Sequence, residues 1–151
     1  IGSTTGFTRD LQKILIEEAS KQGYNPDVCI AGDDVLMDLG VRPKPFMLWE
    51  NLFNLGMFPI QSVVKIDDTI GGLGEARSAG CWGIGIAGYS TYMNVDSLNQ
   101  WGDMSETEKE KRLKHSRSIL KKHAHYVIDT LYELPNIIED IDNRMKLGHQ
   151  P

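Results

Sequence analysis

Ser62-Val63-Val64-Lys65-Ile66-Asp67-Asp68-Thr69 is the stretch that decides the fold class. It opens as a β-branched run of strand length and ends abruptly in two carboxylates and a hydroxyl. A helical stretch over 72–79 is predicted to follow and to close at Gly80, and Trp82-Gly83-Ile84-Gly85-Ile86 reads as the next strand. The polar cluster therefore stands where a strand turns into a helix.

The same rhythm runs outward in both directions. Upstream, Phe46, Met47, Trp49, Leu52, Phe53 and Leu55 predict a helix that stops near Gly56. Residues 35–45 read as a loop punctuated by Pro43 and Pro45. Val28-Cys29-Ile30-Ala31 is a short strand ended by Gly32-Asp33-Asp34. Before it, Leu11, Ile14, Leu15 and Ala19 fall at helical spacing over 8–22, with Gly23 and Pro26 as stops. The chain opens Ile1-Gly2-Ser3-Thr4-Thr5-Gly6, which reads as the exit of a strand, and a fragment is the expectation. Downstream, 88–104 is polar and irregular, and 105–122 is a charged helix opened by the capping-box pair Ser105 and Glu108. His125-Tyr126-Val127-Ile128 is a fourth strand. A last helix over 131–145 carries Leu131, Leu134, Ile137, Ile138, Ile141 and Met145 inward, and 146–151 is a tail.

Strands alternating with helices predict parallel pairing and a doubly wound, Rossmann-like α/β sheet with helices on both faces, in one unit over 1–151. The 151 residues suffice for a real core. The formal charge of −5 argues against nucleic acid or an anionic membrane as partner, and no apolar run approaches the ~18 residues of a span. Cys29 and Cys81 sit in apolar stretches, make no disulfide framework and point to a reducing cytoplasm. No secretory pattern is visible.

Ligands of such sheets bind beyond the carboxyl ends of the strands. That rule selects three clusters: Ser3 to Gly6, the 32–45 loop with Arg42, and Asp67-Asp68-Thr69. Glycines and hydroxyls entering a helix present N–H groups to an anion. A guanidinium forks onto phosphate oxygens, and carboxylates at a strand end suit Mg²⁺. Together they describe phosphoryl chemistry. Singly each has a bland reading: a capped turn, helix-start carboxylates, a surface arginine. Their order is more specific than any one of them.

Other features read as structure. Trp49, Phe53 and Met57 share a helix face and predict core packing, with an interface as the other reading. Trp82 predicts packing, and the run Glu106 to Lys114 a solvated face. His115, His123 and His125 have no supporting ligand spacing and read as ordinary histidines. Gly83-x-Gly85 is too short for a dinucleotide fingerprint. A receiver-like signalling module would need its acidic pair at the first strand, so the order here opposes it.

The order of clusters resembles the last three signature motifs of the haloacid dehalogenase superfamily of phosphotransferases. The likeness extends to its phosphonate-cleaving branch, through 1–9, Gln22-Gly23-Tyr24-Asn25-Pro26-Asp27, Asp33-Asp34-Val35, Arg42-Pro43-Lys44-Pro45, Val64 to Thr69, 79–85 and 124–129. The resemblance implies a core domain lacking its first strand and its cap. It implies cleavage of a carbon–phosphorus bond in a small phosphonate through an aspartyl phosphate and a cap-lysine Schiff base. Neither the nucleophile nor that lysine is in this sequence, so the chain alone is expected to be inactive. By the same resemblance Thr5 and Arg42 are catalytic, and Asp68 with Asp67 would serve Mg²⁺. Ser3, Thr4, Gly6 and Thr69 would surround the phosphate, and the intact protein would be a homodimer. The alternatives are a phosphatase or phosphomutase acting on another small organophosphate, or a non-catalytic phosphate-binding module. The sequence departs from the family pattern in three ways: Asp67 stands for a glycine, Gly72 for an aspartate, and the loop 36–41 before Arg42 is longer, with Val41 for a glycine.

Overall fold

A computed structural model describes residues 1–35 and 41–151; the longer loop expected before Arg42 falls at 36–40, outside the described residues. Strand β1 (Gly2–Thr4) pairs in parallel with β2 (Val28–Ile30), and helix α1 (Arg9–Ser20) makes the crossover. Helix α2 (Phe46–Leu55) leads to β3 (Val64–Asp67), then α3 (Ile70–Ala79) and β4 (Trp82–Ile86). Helices α4 (Leu98–Asp103) and α5 (Glu106–Leu120) precede β5 (Tyr126–Ile128), and α6 (Leu134–Lys146) closes the chain. All strand pairs are parallel, in two sheets ordered β1-β2 and β3-β4-β5.

The alternation of β4 explains the two layers of helices. Trp82, Ile84 and Ile86 face one way and pack with Ile128 and Ile141 of α6. Gly83 and Gly85 face the other way, where a Cβ would meet Ala76 of α3 at 3.3 Å and Leu120 of α5 at 3.1 Å. The glycines thus let two helices sit close against the strand. A second cluster joins α2 to α3 through Leu48, Leu52, Ala76, Ala79 and Cys81. Gly56 and Gly80 end α2 and α3 with φ of 64° and 85°, the left-handed caps that the sequence predicts.

The parallel α/β fold with helices on both faces is as expected, and so is the helix within 8–22; the differences lie in detail. Among the described residues the strands form two sheets, β1 and β3 share no ladder, and side chains bridge them instead. Trp49 and Phe53 on α2, and Met57 just past its Gly56 cap, are exposed (46%, 81% and 50%), because α2 packs on β2 through Met47 and on α3 through Leu48 and Leu52. On α1 the buried side is taken by Gln12, to which Arg9 donates from Nη1, so Leu11, Ile14 and Leu15 face outward. Leu131 lies in a single 3-10 turn over 131–133 and is exposed, as is Ile138, while Leu134, Ile137, Ile141 and Met145 pack inward. Helix α4 has no apolar periodicity to announce it and is held by its Ser97 cap, which accepts from the Gln100 N–H.

Candidate active site

The ends of β1 and β3 open into one cavity of about 840 Å³, to which Thr4, Thr5, Gly6, Arg42, Asp67, Asp68 and Thr69 contribute. Seven of the eight residues predicted from sequence therefore meet. Ser3 does not: it lies within the β1 ladder opposite Cys29, and its carbonyl accepts from Asn51 Nδ2 at 2.9 Å. Phe7, Tyr89 and Leu131 supply apolar wall.

Each polar group has a local reason for its place. Thr5 follows the last residue of β1; its N–H bonds the Ile30 carbonyl at 3.0 Å and its Oγ1 accepts from the Phe7 N–H at 3.2 Å. The Thr5 hydroxyl proton is left to serve the cavity. Thr69 caps α3: its Oγ1 accepts from the Gly72 N–H at 3.1 Å and donates to Asp67 Oδ1 at 2.7 Å. Asp67 and Asp68 diverge as neighbours at a strand end should. Asp67 turns inward and is buried; Asp68 is half-buried on the cavity side. Burial first, and the Asp67 carboxylate second, push the Asp68 carboxyl above its usual range, with Arg42 opposing.

Behind the cavity lies a group the sequence reading did not anticipate. Arg42 bonds Glu75 Oε2 from Nε at 3.1 Å and Thr4 from Nη2 at 2.9 Å, and its Nη1 lies 3.3 Å from Asp67. Lys65 Nζ donates to Thr4 Oγ1 at 2.8 Å and lies 3.1 Å from Glu75 and 3.5 Å from Asp67. Two cations and two anions thus form a nearly dry, neutral quartet, with Glu75 fully buried. Glu75 also accepts the Leu48 N–H at 3.1 Å, which fixes α2 to α3. Burying four charges is favourable only when all are paired. Lys65 shares a strand face with Asp67 by alternation, and Glu75 falls on the α3 face of Gly72, Ala76 and Ala79. Those two periodicities were the available signal.

A cation would find one uncommitted carboxylate here. Asp67 is occupied by Thr69, Arg42 and Lys65, and no cluster of three His, Cys, Asp or Glu occurs among the described residues. One half-buried carboxylate beside hydroxyls still fits Mg²⁺, which takes one or two carboxylates, substrate oxygens and water. The histidines stay apart from the site: His125 Nδ1 accepts the Gly83 N–H at 2.9 Å and its ring meets Trp82 edge-on.

No protein-family model matches the chain. The fold is that of haloacid dehalogenase-like proteins, among them one of unknown function from Agrobacterium tumefaciens (TM-score 0.63, 21% identity, 92% of this chain and 53% of that one). More particularly, the chain is similar to phosphonoacetaldehyde hydrolases. A curated example from Bacillus cereus (strain AH187) is 36% identical over 149 residues, covering 95% of this chain. A crystal structure of a phosphonoacetaldehyde hydrolase-like protein from Oleispira antarctica superposes with a TM-score of 0.92 at 28% identity, over 99% of this chain and 53% of that one. The chain spans about half the length of these relatives, 53% of the Bacillus protein.

Proposed function

We propose that this chain is the phosphate-holding part of the core domain of a Mg²⁺-dependent phosphonoacetaldehyde hydrolase. The reaction adds water across the carbon–phosphorus bond and gives acetaldehyde and phosphate. The observation that carries this reading is the convergence of Thr5, Arg42, Asp68 and Thr69 on one cavity at the ends of β1 and β3.

The geometry supports the following roles. Arg42 lines the cavity with Nε held by Glu75 and Nη2 by Thr4, and its Nη1, 3.3 Å from Asp67, is the group left to turn to a phosphoryl oxygen. A planar fork fixed in this way suits phosphoryl oxygens. The Thr5 hydroxyl donates to a further oxygen, and the Gly6 segment approaches closely because it carries no side chain. Asp68 would hold Mg²⁺, with Thr69 bracing its loop; the ion supplies charge neutralisation of the phosphoryl group when bound. The aspartate nucleophile and the Schiff-base lysine implied by the family are supplied from outside this sequence. Lys65 is committed to Thr4 and Glu75 and does not serve as that lysine.

The exposed Trp49, Phe53, Met57 and Phe58 give a homodimer an apolar patch to bury. The free thiols Cys29 and Cys81 suit a reducing cytoplasm, burial pushing that of Cys81 up to about 11. No helix among the described residues is long and apolar enough to cross a membrane.

The test is a substrate panel on the gene product that carries this sequence. Mg²⁺-dependent phosphate release from phosphonoacetaldehyde, with sugar phosphates ignored, is expected. Turnover of phosphomonoesters alone would replace the reading with a phosphatase or phosphomutase of the same fold.

A further inference from the structure

We infer that Asp67 and Gly72 are two halves of one device: they share a single carboxylate-sized space, and the carboxylate in it positions Arg42. The space lies between the end of β3 and the first turn of α3. A Cβ built on Gly72 would stand 1.9 Å from Asp67 Cγ and Oδ2, and 2.2 Å from Oδ1. No side chain at 72 coexists with this Asp67 rotamer. Nor does Asp67 turn aside freely, because its Oδ1 accepts the Thr69 N–H at 3.0 Å and the Thr69 hydroxyl at 2.7 Å. Its Oδ2 faces Arg42 Nη1 at 3.3 Å and Lys65 Nζ at 3.5 Å.

The neighbouring contact shows the same economy of space. A Cβ on Gly74 would lie 2.7 Å from Pro43 Cβ, so α3 reaches the Arg42 segment only along its glycine edge. Gly72 and Gly74 bring α3 close, Asp67 fills what Gly72 leaves open, and Arg42 is caught between Asp67 and Glu75. Asp67 acts through Arg42; it is a positioning residue.

Two simple accounts predict opposite outcomes. If Asp67 were only a negative charge near an anion site, its removal would tighten phosphate binding. If it positions Arg42, removal loosens binding although the site becomes more positive. The inference rests on the proposed anion site, so two readouts are needed: titration with inorganic phosphate, and thermal unfolding.

The variants are Asp67→Gly, Gly72→Asp, the double exchange Asp67→Gly/Gly72→Asp, and the near-isosteric Asp67→Asn. Asp67→Gly and Asp67→Asn are each expected to weaken phosphate binding about tenfold, the scale of one charge-assisted hydrogen bond. Gly72→Asp alone, forcing two carboxylates into one space, is expected to lower the unfolding midpoint most. The double exchange moves the carboxylate across the space and is expected to recover most of the affinity and the midpoint. Unchanged or tighter phosphate binding in both Asp67→Gly and Asp67→Asn would overturn the positioning role. Additive midpoint shifts in the double exchange would overturn the shared space. If the unaltered chain binds no phosphate, the proposed site fails on its own, and the unfolding data still decide whether 67 and 72 are coupled.

Discussion

Two seams of the molecule, one within β3-β4-β5 and one between β1 and β3, are built from different materials. The seam of β3, β4 and β5 is a hydrogen-bonded ladder covered by Trp82, Ile84, Ile86, Ile128 and Ile141. The seam between β1 and β3 has no ladder; Lys65, Arg42 and Thr4 cross it with charge-assisted bonds. The first maximises burial. The second gathers hydroxyls, a guanidinium and carboxylates at strand ends, which is where a phosphate site can form. Both seams carry stability, but only the polar one is proposed to hold phosphate, so variants on the two sides should differ in phosphate affinity.

The largest effect is expected at the polar seam. Glu75→Gln leaves Arg42 and Lys65 without their shared anion, and breaking a buried ionic group of this kind costs about 3–5 kcal/mol. Denaturant unfolding should show this loss, together with weaker phosphate binding. Ile84→Ala, at the centre of the apolar seam, should cost about 2–4 kcal/mol as a cavity. Its phosphate affinity should stay within about twofold, since additivity holds for sites without shared partners. Equal losses of affinity in both variants would erase the contrast between the seams. Thr69→Ala removes the α3 cap and should cost about 1 kcal/mol by the same measurement.

The smallest effect is one of pH, at the apolar seam's edge. Although the residue as a whole is exposed, His125 uses Nδ1 to accept the Gly83 N–H. Burial first, then Arg77 and Arg144, hold its pKa below the ordinary histidine value. A depressed folded pKa means that the unfolded chain binds the proton more tightly. The contribution to stability is therefore present above the ordinary value near 6.5 and is lost as pH falls through the folded one. His125→Gln should flatten a shallow fall in unfolding midpoint below neutral pH. An unchanged fall would assign it to other groups.

The strand ends were legible because alternation, glycine stops and strand-end polarity are local signals. Phe46–Leu55 with Gly56, and Trp82–Ile86, stand where the periodicity puts them. The quartet was not legible, because Lys65, Glu75, Asp67 and Arg42 find each other across as many as 33 residues of sequence. The outer face of α2 failed for a different reason. Trp49, Phe53 and Met57 carry a clear apolar stripe, but periodicity cannot say whether a stripe meets the chain's own core or something else. Seven of the eight residues predicted for the site converge, while Ser3, assigned by its neighbours' chemistry, lies in the ladder and off the cavity.

The polar seam is proposed here as an anion site. Amide and guanidinium NMR shifts of the labelled chain, followed through a titration with inorganic phosphate and Mg²⁺, test it most directly. Shifts are expected at Thr5, Gly6, Asp68, Thr69 and the Arg42 guanidinium, abolished by Arg42→Met. Shifts confined to the basic groove of Lys111, Lys114 and His115 on α5, or unaffected by Arg42→Met, would contradict it.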